Sequence, residues 1–117
     1  MNIESIRNYC LSKAEVTEGF PFGNDTLVFK VNNKMFALMN LKGDLSINLK
    51  CDPEKAIELR EHYDAVLPGY HMNKKQWNTI KLDFSIDKQL IEQWIDDSYH
   101  LVALKMSKKD RERILRL

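Results

Sequence analysis

Few of the side chains that could carry out acid–base or nucleophilic chemistry are spaced as a catalytic site requires. A hydrolytic site needs a nucleophile next to a base, but the closest serine and histidine, Ser98 and His100, stand two residues apart in a segment with helical periodicity. Side chains two apart on a helix point in different directions. Cys10 and Cys51 have neither a CxxC spacing nor a neighbouring histidine. The sequence therefore predicts no catalytic residue, and we expect a protein that is not an enzyme.

Metal and cofactor sites are not indicated either. The three histidines are far apart, and Asp96 and Asp97 are adjacent instead of four residues apart, the spacing that brings two ligands to one ion on a helix. With four glycines, the chain has neither a phosphate-binding loop nor a dinucleotide-binding motif. We expect no metal and no cofactor.

Lysines at predicted turns remain as groups that could bind a ligand. A long ammonium side chain at a hairpin tip, or in the loop before Trp77, can reach the phosphates of DNA. Lysines are also common at turns of soluble proteins, where they protect sheet edges from pairing with other chains. These lysines are therefore either DNA contacts or ordinary surface residues, and both interpretations stay open. His71 and Asn73 either belong to a site or satisfy backbone groups at a bulge. The candidate DNA-contacting residues are Lys30, Lys34, Lys42, Lys50, His71, Asn73, Lys74, Lys75 and Trp77.

Length and charge set limits on the class of protein. The 117 residues, 44% of them apolar, predict one domain covering residues 1–117. With 18 Lys and Arg against 17 Asp and Glu, the chain is less basic than most dedicated phosphate-binding domains. The segment 105–117 is the exception, with six basic and two acidic residues. It is either a helix that binds a partner or an anion, or a solvated helix end.

Targeting signals are also weak. No apolar run approaches the roughly 20 residues that cross a bilayer. The N-terminal residues MNIESIRNYC are polar and acidic, whereas a signal peptide needs a basic start and an apolar core. We therefore expect a cytoplasmic protein with no membrane partner.

The periodicity of apolar residues predicts an α+β domain. Residues 15–25 carry three turn-forming Gly and Pro residues and are predicted to be an ordered loop. Asn32-Asn33 suits a two-residue hairpin, because Asn tolerates the positive φ of such turns. The predicted helices cover residues 3–13, 53–63 and about 85–106, and a short one follows Ser107; the predicted strands cover residues 26–31, 34–40, 45–50, 65–72 and 77–82. The order α-β-β-β-α-β-β-α favours a two-layer α/β sandwich with an antiparallel sheet.

Three stretches resemble a known family. The sequences PGYHMNKKQWNTIKLD at residues 68–83, IDDSYHLV at 95–102 and SINLKCDPE at 46–54 resemble the YjbR/MmcQ-like family of small bacterial proteins. The resemblance spans essentially the whole chain. It implies an α-β(3)-α-β(2)-α two-layer domain of the frataxin-like (CyaY-like) or secretion-chaperone-like kind, which agrees with the order derived above.

The resemblance also implies a function. Members of this family are commonly described as DNA-binding through two projecting wings. Asn73, Lys74 and Trp77 match the loop and strand of the family's signature, and Lys50 matches the end of its third strand. DNA is therefore the expected partner. The alternative is a protein-interaction module that docks a partner on an exposed sheet face or on the basic C-terminal helix, as a chaperone-like architecture would allow.

Overall fold

The computed structural model describes residues 2–69 and 72–116 and forms an α+β fold, as predicted. None of the helices in these residues is long and apolar enough to cross a membrane. The elements in chain order are α1 (Ile3–Leu11), β1 (Val16–Gly19), β2 (Thr26–Val31), β3 (Lys34–Asn40), β4 (Ser46–Lys50), α2 (Pro53–His62), β5 (Val66–Pro68), β6 (Trp77–Lys81), α3 (Lys88–Leu104) and α4 (Lys108–Leu115).

The strands form one open antiparallel sheet with the order β1-β2-β3-β4-β6-β5. The prediction of a loop at residues 15–25 was wrong in part, because β1 pairs with β2 from Val16 opposite Val31 to Gly19 opposite Val28. Four strands therefore precede α2 instead of three. Strand β1 is only four residues long, and its Thr17 and Glu18 are exposed. It therefore shows little alternation of apolar and polar residues, and its backbone pairing with β2 stabilises it.

The β2–β3 hairpin has the predicted turn. Asn32 and Asn33 have φ values of 47° and 66°, the left-handed conformation that a two-residue hairpin requires. At the other edge, the predicted strand at 65–72 is shorter than expected and ends at Pro68. Gly69 follows it, and a Cβ there would lie 2.7 Å from both the Cβ and the carbonyl oxygen of Trp77. The close approach of β5 to β6 therefore depends on glycine.

The helices cover one face of the sheet. Each contributes to the larger apolar cluster, for example through Cys10 of α1, Leu59 of α2, Ile95 of α3 and Ile114 of α4. The other face carries a second, smaller cluster of Val28, Leu38 and Trp77 with Met35 and Met72 packed against it. No helical residue belongs to this second cluster in the part of the chain that the structure describes. We call this side of the sheet the outer face.

Ser98 fixes α3 on the sheet. Its side chain is fully buried. The Ser98 hydroxyl donates to the Phe36 carbonyl at 2.6 Å and accepts from the Lys50 N–H at 2.8 Å. One side chain thus ties α3 to both β3 and β4, and it sets where the C-terminal end of the helix lies relative to the sheet.

Candidate nucleic-acid interface

Three lysines that are distant in the sequence meet at one end of the sheet. Lys34 begins β3, Lys50 ends β4 and Lys105 caps the C-terminus of α3. Together they line an open depression of about 370 Å³, whose remaining walls are the apolar side chains of Met35, Val102 and Met106. We call Lys34, Lys50 and Lys105 the lysine cluster. Lys34 and Lys50 were among the predicted DNA-contacting residues, whereas Lys105 was not.

Backbone pairing and one helix contact bring the lysine cluster together. The antiparallel register places Ala37 opposite Leu49, so the start of β3 and the end of β4 lie at the same sheet end. Lys105 follows Ser98 by about two helical turns, roughly 10 Å along the axis. Because Ser98 is held between β3 and β4, the end of α3 reaches the same place.

The electrostatics of the lysine cluster favour an anion. The pKa of Lys50 is lowered, first by its burial and then by the neighbouring ammonium group of Lys105. None of the three lysines forms an ion pair with an acidic side chain of residues 2–69 or 72–116. Like charges in contact raise the free energy of the site, and an anion between them would relieve it. Phosphate oxygens are suitable acceptors, because hydrogen bonds between ionised groups are strong.

The loop at residues 73–76 adds two exposed lysines at the same end of the sheet. Lys50 is opposite Trp77 in the β4–β6 ladder, and the Cys51 N–H donates to the Gln76 carbonyl at 2.7 Å. Arg60 of α2 donates to the Lys74 carbonyl at 3.0 Å. The loop is therefore held beside the end of β4, and Lys74 and Lys75 extend the basic surface. We call these two lysines and the lysine cluster the basic end.

The other candidate residues do not line the lysine depression. Lys42 lies in the β3–β4 turn at the opposite end of the sheet, 4.0 Å from the Asp25 carboxylate. Lys30 lines a separate depression together with Glu18. Trp77 is only 8% exposed and packs in the outer-face cluster, so its ring supports the sheet instead of offering a surface to DNA. His71 lies outside the described residues.

A neutral groove crosses the outer face next to the basic end. It has a volume of about 680 Å³, and none of the described residues that line it is charged. Its apolar walls are Phe22, Met35, Leu38 and Met72; its polar residues are Thr26, Asn40, Ser46, Asn48, Asn73 and Thr79.

Two hydrogen bonds order the polar side of the groove. The Thr79 hydroxyl donates to Asn48 Oδ1, and Asn40 Nδ2 donates to the Lys42 carbonyl at 2.9 Å. Met35 lines both the groove and the lysine depression, so the two are adjacent.

Known proteins resemble this chain over nearly its whole length. A family model described as YjbR matches residues 11–101. The uncharacterized protein YbdF of Escherichia coli O157:H7 is 37% identical over 112 residues, which cover 95% of this chain and 92% of that protein. The uncharacterized protein YjbR of Escherichia coli strain K12 is 27% identical over 118 residues, the full length of both chains.

The chain belongs to the YjbR family. Among solved structures, the crystal structure of Deinococcus radiodurans protein DR2400 matches with a TM-score of 0.90 and 38% identity, covering 97% of this chain and 87% of DR2400. A crystal structure from Pseudomonas syringae matches with a TM-score of 0.76 and 29% identity, covering 86% of this chain and 98% of the other. The family resemblance noted in the sequence is therefore confirmed.

In this YjbR-family chain, the motif at residues 95–102 serves the fold. Asp96 accepts a hydrogen bond from the Tyr9 hydroxyl of α1 at 2.7 Å and pairs with the ammonium of Lys13, which follows α1. The Tyr99 hydroxyl donates to the Ala14 carbonyl at 2.6 Å. With Ser98, these residues attach α3 to its surroundings, so the motif acts on the lysine cluster only by positioning Lys105.

The two cysteines of this YjbR-family chain are poor nucleophiles. Burial raises the pKa of the Cys10 thiol to about 12. Burial, followed by the carboxylates of Asp52 and Asp97, raises the pKa of the Cys51 thiol to about 11. Both are free thiols, and near neutral pH both are protonated. They contribute to packing, as their isolated positions in the sequence indicated.

Proposed function

We propose that this YjbR-family chain is a non-enzymatic DNA-binding protein that contacts phosphates through its basic end. The convergence of Lys34, Lys50 and Lys105 in one depression, without an ion-pair partner among residues 2–69 and 72–116, carries the proposal. A phosphate backbone supplies closely spaced negative charges and needs no base-specific geometry from the protein. A cytoplasmic setting goes with this function, because that compartment contains the DNA and keeps thiols reduced.

The distribution of charge supports this proposal better than the net charge does. The net charge of +1 is too small to make the whole surface attractive to DNA. Several other cations are already engaged: Arg7 pairs with Glu18, and Arg113 pairs with Glu15 and Asp110. The basic end therefore gathers five lysines that form no ion pair within the described residues, on a chain that is close to neutral.

Salt dependence tests the electrostatic part of the proposal. If the basic end neutralises about four phosphates, log affinity for duplex DNA falls against log salt concentration with a slope of about −4. Affinity then decreases roughly 200-fold between about 50 and 200 mM salt. Fluorescence anisotropy with a labelled duplex measures this slope. Absence of binding at low salt would contradict the proposal.

Charge reversal at the two ends of the sheet tests the location. The double variant Lys74→Glu/Lys75→Glu is expected to lose at least about tenfold in affinity and to show a shallower salt slope. The matched control is Lys42→Glu/Lys81→Glu, which changes the net charge equally at the opposite end. Equal losses in the two variants would show that binding depends on total charge and not on the basic end.

A protein-interaction module is the alternative function. Phe22 is 66% exposed at the rim of the neutral groove, a position from which it could contact a partner protein. The basic C-terminal helix supports this alternative less, because Ile114 is buried and Arg113 is held by Glu15. A docking module would bind its partner without a steep salt dependence and would tolerate charge reversal of Lys74 and Lys75.

A further inference from the structure

The neutral groove adjoins the basic end through two of its lining residues, Met35 and Asn73. Met35 forms a wall shared by the groove and the lysine depression. On another side, the groove is lined by Asn73, which directly precedes Lys74 and Lys75. A ligand that occupies the groove with a neutral group would therefore lie next to the lysine cluster and to the loop that carries Lys74 and Lys75.

The groove offers the contacts that a planar polar ring uses. Phe22 is exposed at its rim, and the flexible side chains of Met35 and Met72 can adapt to a flat surface. The amide side chains of Asn48 and Asn73 also line the groove, and Asn48 accepts from Thr79 through Oδ1. Aromatic rings stack on nucleobases, and amide side chains pair with the donor and acceptor edges of those bases.

We propose that the groove binds an unpaired base of single-stranded nucleic acid, with the adjacent phosphates on the lysine cluster and on Lys74 and Lys75. This inference rests on the proposed function and specifies its substrate. In a duplex the bases are stacked and paired, so that they cannot lie flat on a sheet face. A neutral small molecule would fill the groove but would leave the like charges of Lys50 and Lys105 uncompensated.

Substitution of Phe22 tests the groove. Removing an aromatic platform for one base typically lowers the affinity for single strands by about tenfold. We expect Phe22→Ala to show this loss with a labelled single-stranded oligonucleotide and to leave binding of the matched duplex unchanged. Phe84→Ala is the control, because Phe84 is 78% exposed in the loop that precedes α3. It is expected to change neither affinity.

Trp77 provides a second measurement that does not depend on affinity. It belongs to the outer-face cluster with Leu38, and Met35 and Met72 pack against that cluster; all three of these residues also line the groove. The chain has two tryptophans, so Trp94→Phe leaves Trp77 as the single tryptophan, which is excited selectively over the tyrosines at long wavelength. A base in the groove is expected to change the emission of Trp77, whereas phosphate contacts alone leave it unchanged.

The outcomes separate this inference from the proposed function. Stronger binding of single strand than of duplex, with a loss on Phe22→Ala and a change in Trp77 emission, supports both. A second outcome is salt-dependent binding that requires Lys74 and Lys75 but is unchanged by Phe22→Ala and does not alter Trp77 emission. It would contradict base binding in the groove and would support phosphate binding at the basic end. Absence of binding to either form of nucleic acid at low salt overturns both.

Discussion

The two ends of the sheet arrange their charges in different ways. At the end formed by the β3–β4 turn, Lys42 lies 4.0 Å from Asp25 and both side chains are exposed. At the basic end, Lys50 and Lys105 lie next to each other, and the pKa of Lys50 is lowered by burial and by that neighbour. The first arrangement compensates charge, whereas the second concentrates it. The difference shows that chain topology, and not net charge, determines where lysines without an ion-pair partner are brought together.

The largest effect is expected from separating α3 from the strands that end at the lysine cluster. Ser98→Ala leaves the Phe36 carbonyl and the Lys50 N–H without their partner. Leaving two such groups unsatisfied costs about 2–4 kcal/mol in the free energy of unfolding. Urea denaturation, monitored by tryptophan fluorescence, measures this change in the free energy of unfolding. Ser85→Ala is the control, since Ser85 is exposed and its hydroxyl donates to the nearby Asp83 carboxylate; a similar loss there would contradict the role of Ser98.

A charge reversal in the lysine cluster is expected to affect binding and stability in opposite directions. Lys105→Glu replaces a repulsive neighbour of Lys50 with an attractive one, so the free energy of unfolding stays equal or rises by about 0.5 kcal/mol. Affinity for DNA falls about tenfold, which is about 1.4 kcal/mol. Anisotropy and urea denaturation of the same variant measure the two effects. A loss of stability together with a loss of binding would indicate a structural role for Lys105.

The smallest effect is expected at the opposite end of the sheet. Asp25→Asn removes an exposed, weak ion pair, and such pairs contribute between about 0 and 1 kcal/mol. We expect a change in the free energy of unfolding of less than about 0.5 kcal/mol and no change in DNA affinity. A clear gain in affinity on freeing Lys42 would show that this end also contacts DNA and would remove the contrast between the ends.

The β2–β3 turn could be predicted from the sequence, but the convergence of the three distant lysines could not. Asn32 and Asn33 predicted the hairpin because both tolerate positive φ, and the structure confirms it. In contrast, β1 forms only along β2 and has no pattern of its own. The place of Lys105 depends on the length of α3 and on the contacts of Ser98, which no spacing rule conveys. The fold class and family were therefore predictable, and the lysine cluster only in part.

The groove was missed for a related reason. The residues that line it come from four strands, on which they alternate with residues of the main core. Examples, one from each strand, are Thr26, Leu38, Asn48 and Thr79. Each is an ordinary neutral residue on a strand, so none of them signals a site by itself. The groove exists only once the sheet order has placed these side chains side by side.

Titration of the Lys50 side chain by NMR is the most direct measurement of an anion site between Lys50 and Lys105. In the free protein its pKa is lowered, so the ammonium loses its proton earlier than an ordinary lysine as the pH rises. A bound phosphate favours the charged form, and the pKa is therefore expected to rise when a DNA oligonucleotide is added. Affinity should then fall at alkaline pH as this group is deprotonated. An identical Lys50 titration with and without saturating oligonucleotide would contradict the site.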